Sequence, residues 1–223
     1  MKQVAISFAL AFSVAGAAFG AYTVTREAVI FDRHPEYSIE EFDRIAMGQA
    51  RIPLSAYAKR QVLSSCHYGL TSQLSLVRPT DEIKRFAMAC RDYAHGVAAT
   101  MHTNSFAWLV LATSSHAIGD ETVMNQALQI SQRTGANEQW IAERRVAFSE
   151  SHFDLLSQES RASNEQDLAL LANSYRGVKT IAGRYIADES FRNRVTEVVS
   201  RQPDEIQRRF IHFVREAAKG LSR

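Results

Sequence analysis

The stretch "FAWLVLATSSHAIGDETVMNQALQIS", Phe106 to Ser131, decides the fold class. Two runs, Ser105 to Ile118 and Glu121 to Thr134, are parted by Gly119-Asp120, a turn signal between segments of helical periodicity. A short connection of this kind predicts two helices packed side by side. Every other long segment of the chain is also periodic at three to four residues, and no run alternates as a strand would. The fold class expected is all-α.

Towards the N-terminus, Ile83, Phe86, Cys90, Tyr93, Val97 and Met101 form one apolar stripe. Leu54, Ala58, Val62, Cys66, Leu70, Leu74 and Val77 form another. Arg78-Pro79-Thr80-Asp81 separates them, with Thr80 or Asp81 suited to cap the second helix. Two long helices joined by a short turn should pack antiparallel. Ser38-Ile39-Glu40-Glu41 is a capping-box pattern that opens a shorter helix, closed by Gly48 and Pro53. Towards the C-terminus a helix is expected from Asn137 to about Phe153. The next should start at the capping box Ser163-Asn164-Glu165-Gln166 and carry Leu168, Leu171, Ala172, Tyr175, Val178, Ala182 and Tyr185 on one side. One more is marked by Phe191, Val195, Val198 and Val199. The last is opened by Pro203-Asp204-Glu205 and carries Ile206, Phe210, Phe213, Val214, Ala217 and Leu221. About eight helices are expected in all.

Cys66 and Cys90 are the only two cysteines, and both lie on apolar stripes. Their midpoint is position 78, at the Pro79 turn, so an antiparallel hairpin sets the two thiols at the same height. In an oxidising compartment that geometry favours a disulfide. The bond would stabilise the fold by about 3–4 kcal/mol in the chain-entropy treatment. A metal site built from Cys66-His67 and Cys90…His95 fits poorly. Adjacent residues on a helix point about 100° apart, and no C-x-x-C spacing is present.

The export reading rests on the N-terminus. After Met1-Lys2-Gln3, the segment "VAISFALAFSVAGAAFGAYTV", Val4 to Val24, carries no charge. Its length matches a bilayer core of roughly 30 Å. It reads as an inner-membrane anchor over 1–24, followed by a juxtamembrane linker over 25–37 that contains His34-Pro35 and by a periplasmic helical domain over 38–223. The other reading is a cleaved signal peptide, with Ala18 and Gly20 at the small-residue cleavage positions, which would release a soluble periplasmic protein. Both readings export the domain. A net charge of +2 argues against a nucleic-acid partner, which calls for a concentrated basic face. Apolar content of 46% and charged content of 22% are those of a packed globular chain rather than a disordered one.

The segment Trp108 to Asn137 resembles a tetratricopeptide repeat. Trp108, Leu111 and Ala112 match that repeat's first helix, Gly119-Asp120 its inner turn, and Ala136-Asn137 the start of the next unit. Ser115 and Met124 depart from the pattern, the Ala-Leu pair is displaced, and Trp140 begins a second, weaker unit. The resemblance implies antiparallel hairpins stacked as a short solenoid with a surface for a partner. The string "GANEQWIAERRVAF", Gly135 to Phe148, is similar to a segment of small helical envelope proteins of alphaproteobacteria. That likeness implies a partner in exopolysaccharide synthesis or export machinery.

No catalytic constellation stands out. Seven histidines are scattered, and His116 beside Ser114-Ser115 lacks a nucleophile-elbow context. Glu40-Glu41 and Asp188-Glu189 fit helix starts, where acids favour the dipole. No phosphate loop, cofactor motif or metal-ligand spacing is present. The arginine clusters at 143–145, 192–194 and 207–209 fit solvated faces or an acidic partner's groove. Trp108 and Trp140 suit core positions between adjacent pairs, yet exposed aromatics also anchor interfaces. Trp140, Arg144 and Arg145 are therefore the candidate partner contacts. The function expected is a non-enzymatic adaptor of an envelope machine, and a glycan-acting enzyme is the reading from another class.

Overall fold

The computed structural model describes residues 2–27 and 38–221. Among them are twelve α-helices and no strand. In chain order these are α1 Lys2–Glu27, α2 Ile39–Ala46, α3 Ala56–Thr71, α4 Leu74–Val77, α5 Thr80–Thr100 and α6 Ser105–Ala117, then α7 Glu121–Thr134, α8 Gln139–Ser151, α9 Gln158–Asn173, α10 Tyr175–Ala187, α11 Glu189–Ser200 and α12 Asp204–Leu221. A single 3₁₀ turn, Phe153–Leu155, joins α8 to α9.

Short polar side chains set most of the starts by accepting from backbone N–H groups that no turn of helix can satisfy. The Ser38 hydroxyl accepts from Glu41 N at 3.2 Å, as the capping box predicts. Asn104, Asp120 and Asp188 do the same for α6, α7 and α11. At the Gly119 turn φ is +86°, a conformation that favours glycine, and it sends the chain from α6 back along α7. At α5 the expected Thr80 cap is absent. Pro79 precedes a helix that already contains Thr80, without a side-chain cap.

Helix α6 packs most extensively on α7 and α5, α10 on α12 and α9, and α8 on α9, while α3 lies against α6 and α5. Cys66 and Cys90 are joined in a disulfide with their Cα atoms 5.6 Å apart. One helical turn further along, a Cβ on Gly69 would lie 2.6 Å from the Phe86 ring, so glycine is what lets α3 approach α5 there. The interior forms two clusters. The first gathers α2, α3, α5, α6 and α7 around Phe86, Leu109 and Met124, and the second gathers α9 to α12 around Leu171, Ile181 and Phe191. Helix α8 serves both, giving Ile141 and Phe148 to the first and Ala142 and Val146 to the second.

Helix α1 is a separate case. Its Ser7–Glu27 window is long and apolar enough to cross a membrane, and none of it is buried. Phe8, Phe12 and Phe19 are 76%, 84% and 68% exposed, the opposite of a soluble core helix. The helix runs three residues past the expected boundary at Val24. Residues 28–37 of the expected linker lie outside the described residues. At its end the Glu27 carboxylate accepts from Leu54 N, Ser55 N and Ser55 Oγ at 2.7, 2.8 and 2.6 Å, tying α1 to the start of α3.

The helices number twelve among the described residues rather than about eight, and three further expectations are corrected. The apolar stripe from Leu54 to Val77 does not lie on one helix, because α3 stops at Ser72, which turns extended. Leu54 and Val77 are consequently 45% and 78% exposed. The helix expected from Ser163 begins earlier, where Ser157 accepts from Ser160 N at 3.2 Å. It is also two helices rather than one. Ser174 adopts an extended backbone and its hydroxyl accepts from Gly177 N at 2.7 Å, which ends α9 and starts α10.

A candidate partner-binding groove

Helices α3, α6 and α8 line a groove whose three parts share lining residues. A 260 Å³ recess lies at the start of α3 between Arg60, Leu63, Phe106 and Trp140. A middle part of 410 Å³ is bounded by Arg60, Gln61, Ser64 and His67 of α3 and by Arg144 of α8. A wide end of 730 Å³ is lined by His67, Leu70, Leu76, His116, Phe148 and His152, with Arg184 of α10 at its far side. Arg60 and Phe106 are common to the first two parts, and His67 and Arg144 to the last two.

Sequence spacing puts these side chains on one face. Arg60, Ser64, His67 and Thr71 recur every three or four residues along α3, and Trp140, Arg144, Ala147 and Ser151 do so along α8. At the centre is Trp140, half-buried against Phe106 with ring centroids 5.0 Å apart. Two guanidinium groups lie over its ring, Arg60 at 4.4 Å and Arg144 at 5.1 Å from the centroid. Both arginines are exposed, and no carboxylate among the described residues pairs with either. Arg144 donates only to the Trp140 carbonyl, at 3.0 Å. The nearby acids are engaged elsewhere, Glu143 by Gln139 and Arg176, and Glu138, which lines the same recess as Arg60, by the Ser105 hydroxyl.

Beside this cluster His67 stacks edge-on against Phe106, and its Nδ1 is buried with no hydrogen-bond partner. Burial, and then the Arg144 charge, pull its pKa down to about 4, so it faces the groove as a neutral imidazole. At the wide end His116 and His152 lie with ring centroids 4.0 Å apart against Phe148. Burial, and then His152, lower the His116 pKa. Nothing in the linear sequence joins these two histidines; only the side-by-side packing of the ends of α6 and α8 does. Ser114, once a nucleophile candidate beside His116, is buried and donates back to the Val110 and Leu111 carbonyls of its own helix. Among the described residues no three His, Cys, Asp or Glu side chains gather to hold a metal ion.

Of the three expected partner contacts, Trp140 and Arg144 line the groove, and Arg145 does not. Arg145 is 2% exposed and turned inwards. It donates to both oxygens of Asp167, to the Ser131 carbonyl and hydroxyl, and to the Gly135 carbonyl, which leaves no donor for a partner. Most arginines of the other clusters are also engaged within the fold. Arg192 donates to the Tyr185 and Ile186 carbonyls that end α10, and Arg209 to the Ala172 carbonyl that ends α9. Arg194 holds the buried Glu150. Arg60, Phe106, His67 and Phe148 are the groove residues that sequence reasoning did not single out as contacts. Only their three-dimensional adjacency to Trp140 and Arg144 marks them.

The chain matches no family model, no curated protein and no solved structure.

Proposed function

We propose that the chain is a non-enzymatic adaptor, held in the inner membrane by α1, whose helical domain docks a partner protein in this groove on the periplasmic side. The observation that carries the reading is the pair Arg60 and Arg144 over Trp140. An aromatic ring flanked by two cations that pair with no acid among the described residues, opening onto an apolar wide end, has the make-up of an interface anchor. The exposed apolar helix supports the membrane tether, and the disulfide is compatible with an oxidising compartment. The α6–α7 hairpin, closed by the Gly119 turn, is what the tetratricopeptide-like reading of Trp108–Asn137 builds on. The similarity of Gly135–Phe148 to envelope proteins supports a partner in exopolysaccharide synthesis or export, since that segment supplies both Trp140 and Arg144.

A photo-crosslinking residue at position 140 or 144 of the tagged full chain, in cells, tests this. The expected result is a discrete crosslinked polysaccharide-machinery protein that is absent when the probe replaces exposed Lys84 on α5. The same background set of abundant envelope proteins from all three positions would rule the groove out. A second reading, release after cleavage near Gly20, is favoured by the small residues Ala18 and Gly20. It predicts a mature chain that begins at Ala21 and stays soluble after cell breakage.

A further inference from the structure

We propose that Arg60 and Arg144 hold the phosphate of an anionic phospholipid headgroup, so that the narrow end of the groove sits on the membrane surface. The inference rests on reading α1 as a retained span; the lipid phosphate takes the narrow end of the groove and leaves the apolar wide end to the protein partner.

Position is the first argument. The uncharged run Val4–Val24 is 21 residues long. At about 1.5 Å per residue it spans roughly 31 Å, one hydrocarbon core, which puts Val24 at the core boundary and Glu27 about one turn beyond it, in the headgroup layer. Glu27 is hydrogen-bonded to Leu54 and Ser55, so the start of α3 lies in that layer too. Arg60 follows Ser55 by five residues on α3, and the headgroup layer extends roughly 5–8 Å beyond the core. A guanidinium on a long side chain reaches the phosphate level from there.

Surface chemistry at the same edge agrees. Leu54 and Tyr57 are 45% and 64% exposed beside the Glu27 junction, where a bilayer interface would cover them and where aromatic residues are favoured. Charge is the third argument. The two guanidinium groups each lie within about 5 Å of one ring centroid, and among the described residues neither pairs with a carboxylate, Glu138 of the same recess being taken by Ser105. Arginine pairs match phosphate oxygens in geometry as well as in charge. An acidic peptide would answer the charge but leave Leu54 and Tyr57 uncovered.

Native mass spectrometry of the full chain, extracted in mild detergent and titrated with phosphatidylglycerol, phosphatidylcholine or glycerol phosphate, tests the proposal. One retained phosphatidylglycerol is expected on the wild type, and at least tenfold less occupancy on R60Q/R144Q. The charge-matched control R133Q/R208Q, which alters exposed arginines elsewhere, should keep it. R60K/R144K should recover part of the binding if positive charge is what matters. Equal retention by R60Q/R144Q, equal retention of phosphatidylcholine, or full competition by glycerol phosphate would each overturn the proposal. The same spectrum gives the mass of the chain. An intact chain without lipid overturns this inference alone, whereas a chain cut near Gly20 overturns the anchor reading and the inference with it.

Discussion

Arg145 and Asp167 form a bidentate ion pair across α8 and α9, with Nε and Nη2 each 2.6 Å from a carboxylate oxygen and both side chains 2% exposed. The pair lies at the seam where α8 passes from one apolar cluster to the other. The guanidinium also donates to the Ser131 and Gly135 carbonyls at the end of α7, so one side chain ties three helices. Burial pushes the Asp167 carboxyl up, and the Arg145 hydrogen bonds oppose that rise.

Replacing Arg145 by Met strands a buried carboxylate, and the expected cost is about 3–5 kcal/mol. The double variant R145M/D167L removes both charges and should recover a large part of that loss. Urea unfolding of the two variants beside the wild type measures it. A double variant as unstable as the single one would show that the hydrogen bonds to Ser131 and Gly135, rather than the charge pairing, carry the stability.

How far the sequence discloses this fold depends on the range of the cause. The Cys66–Cys90 pairing is legible because both residues are equidistant from one turn. The Gly119 turn and the Ser38 cap are legible because their causes lie within four residues. The break at Ser174 is not. Leu171, Tyr175, Val178 and Ala182 stay in helical phase across it, so the apolar stripe reads as continuous while the backbone is not. Arg144 and Arg145 look alike in the chain, yet a rotation of about 100° per residue sends one to the groove and the other to the seam. Helix α8 shows no single apolar stripe because it is covered on two sides. Arg60 belongs to the candidate site only through Trp140, eighty positions away, and no local pattern announces it.

The disulfide closes a loop with a sequence separation of 24. Chain entropy gives about 3.5 kcal/mol for a loop of that size. The variant C66S/C90S, or the wild type in reductant, should therefore unfold at clearly lower urea. Unfolding at the same urea concentration with and without reductant would mean that packing around Gly69 and Phe86 holds α3 to α5 without the bond.

Gly177 tests the break between α9 and α10. A Cβ there would lie 2.8 Å from both Cα and O of Leu171 and 2.5 Å from Ser174 Oγ, which is the atom that caps α10. G177A must shift backbone or lose the cap, at an expected cost of about 1–2 kcal/mol. The same change at exposed Gly183, which has nothing within 4 Å of the added carbon, should be neutral or slightly stabilising. Equal effects at the two positions would remove the special role of the Ser174 turn.

His67 gives the pH dependence. Its pKa falls from 6.5 to about 4 in the folded chain, through burial first and the Arg144 charge second. A base with a depressed folded pKa binds its proton more readily when unfolded, so stability rises with pH between those two values. The contribution is complete above about pH 6.5 and is lost progressively as pH falls towards 4. The ring keeps an exposed edge in the groove, which places the loss at about 2 kcal/mol rather than the larger figure of full burial. Carboxylates titrate in the lower part of the same window, so the comparison that isolates His67 is wild type against H67N. The wild type should lose stability faster than the variant between pH 6.5 and 5, and the His67 ring resonances should not shift above pH 5. Titration of those resonances near pH 6.5 would show the imidazole to be open to water and would remove it from the floor of the groove.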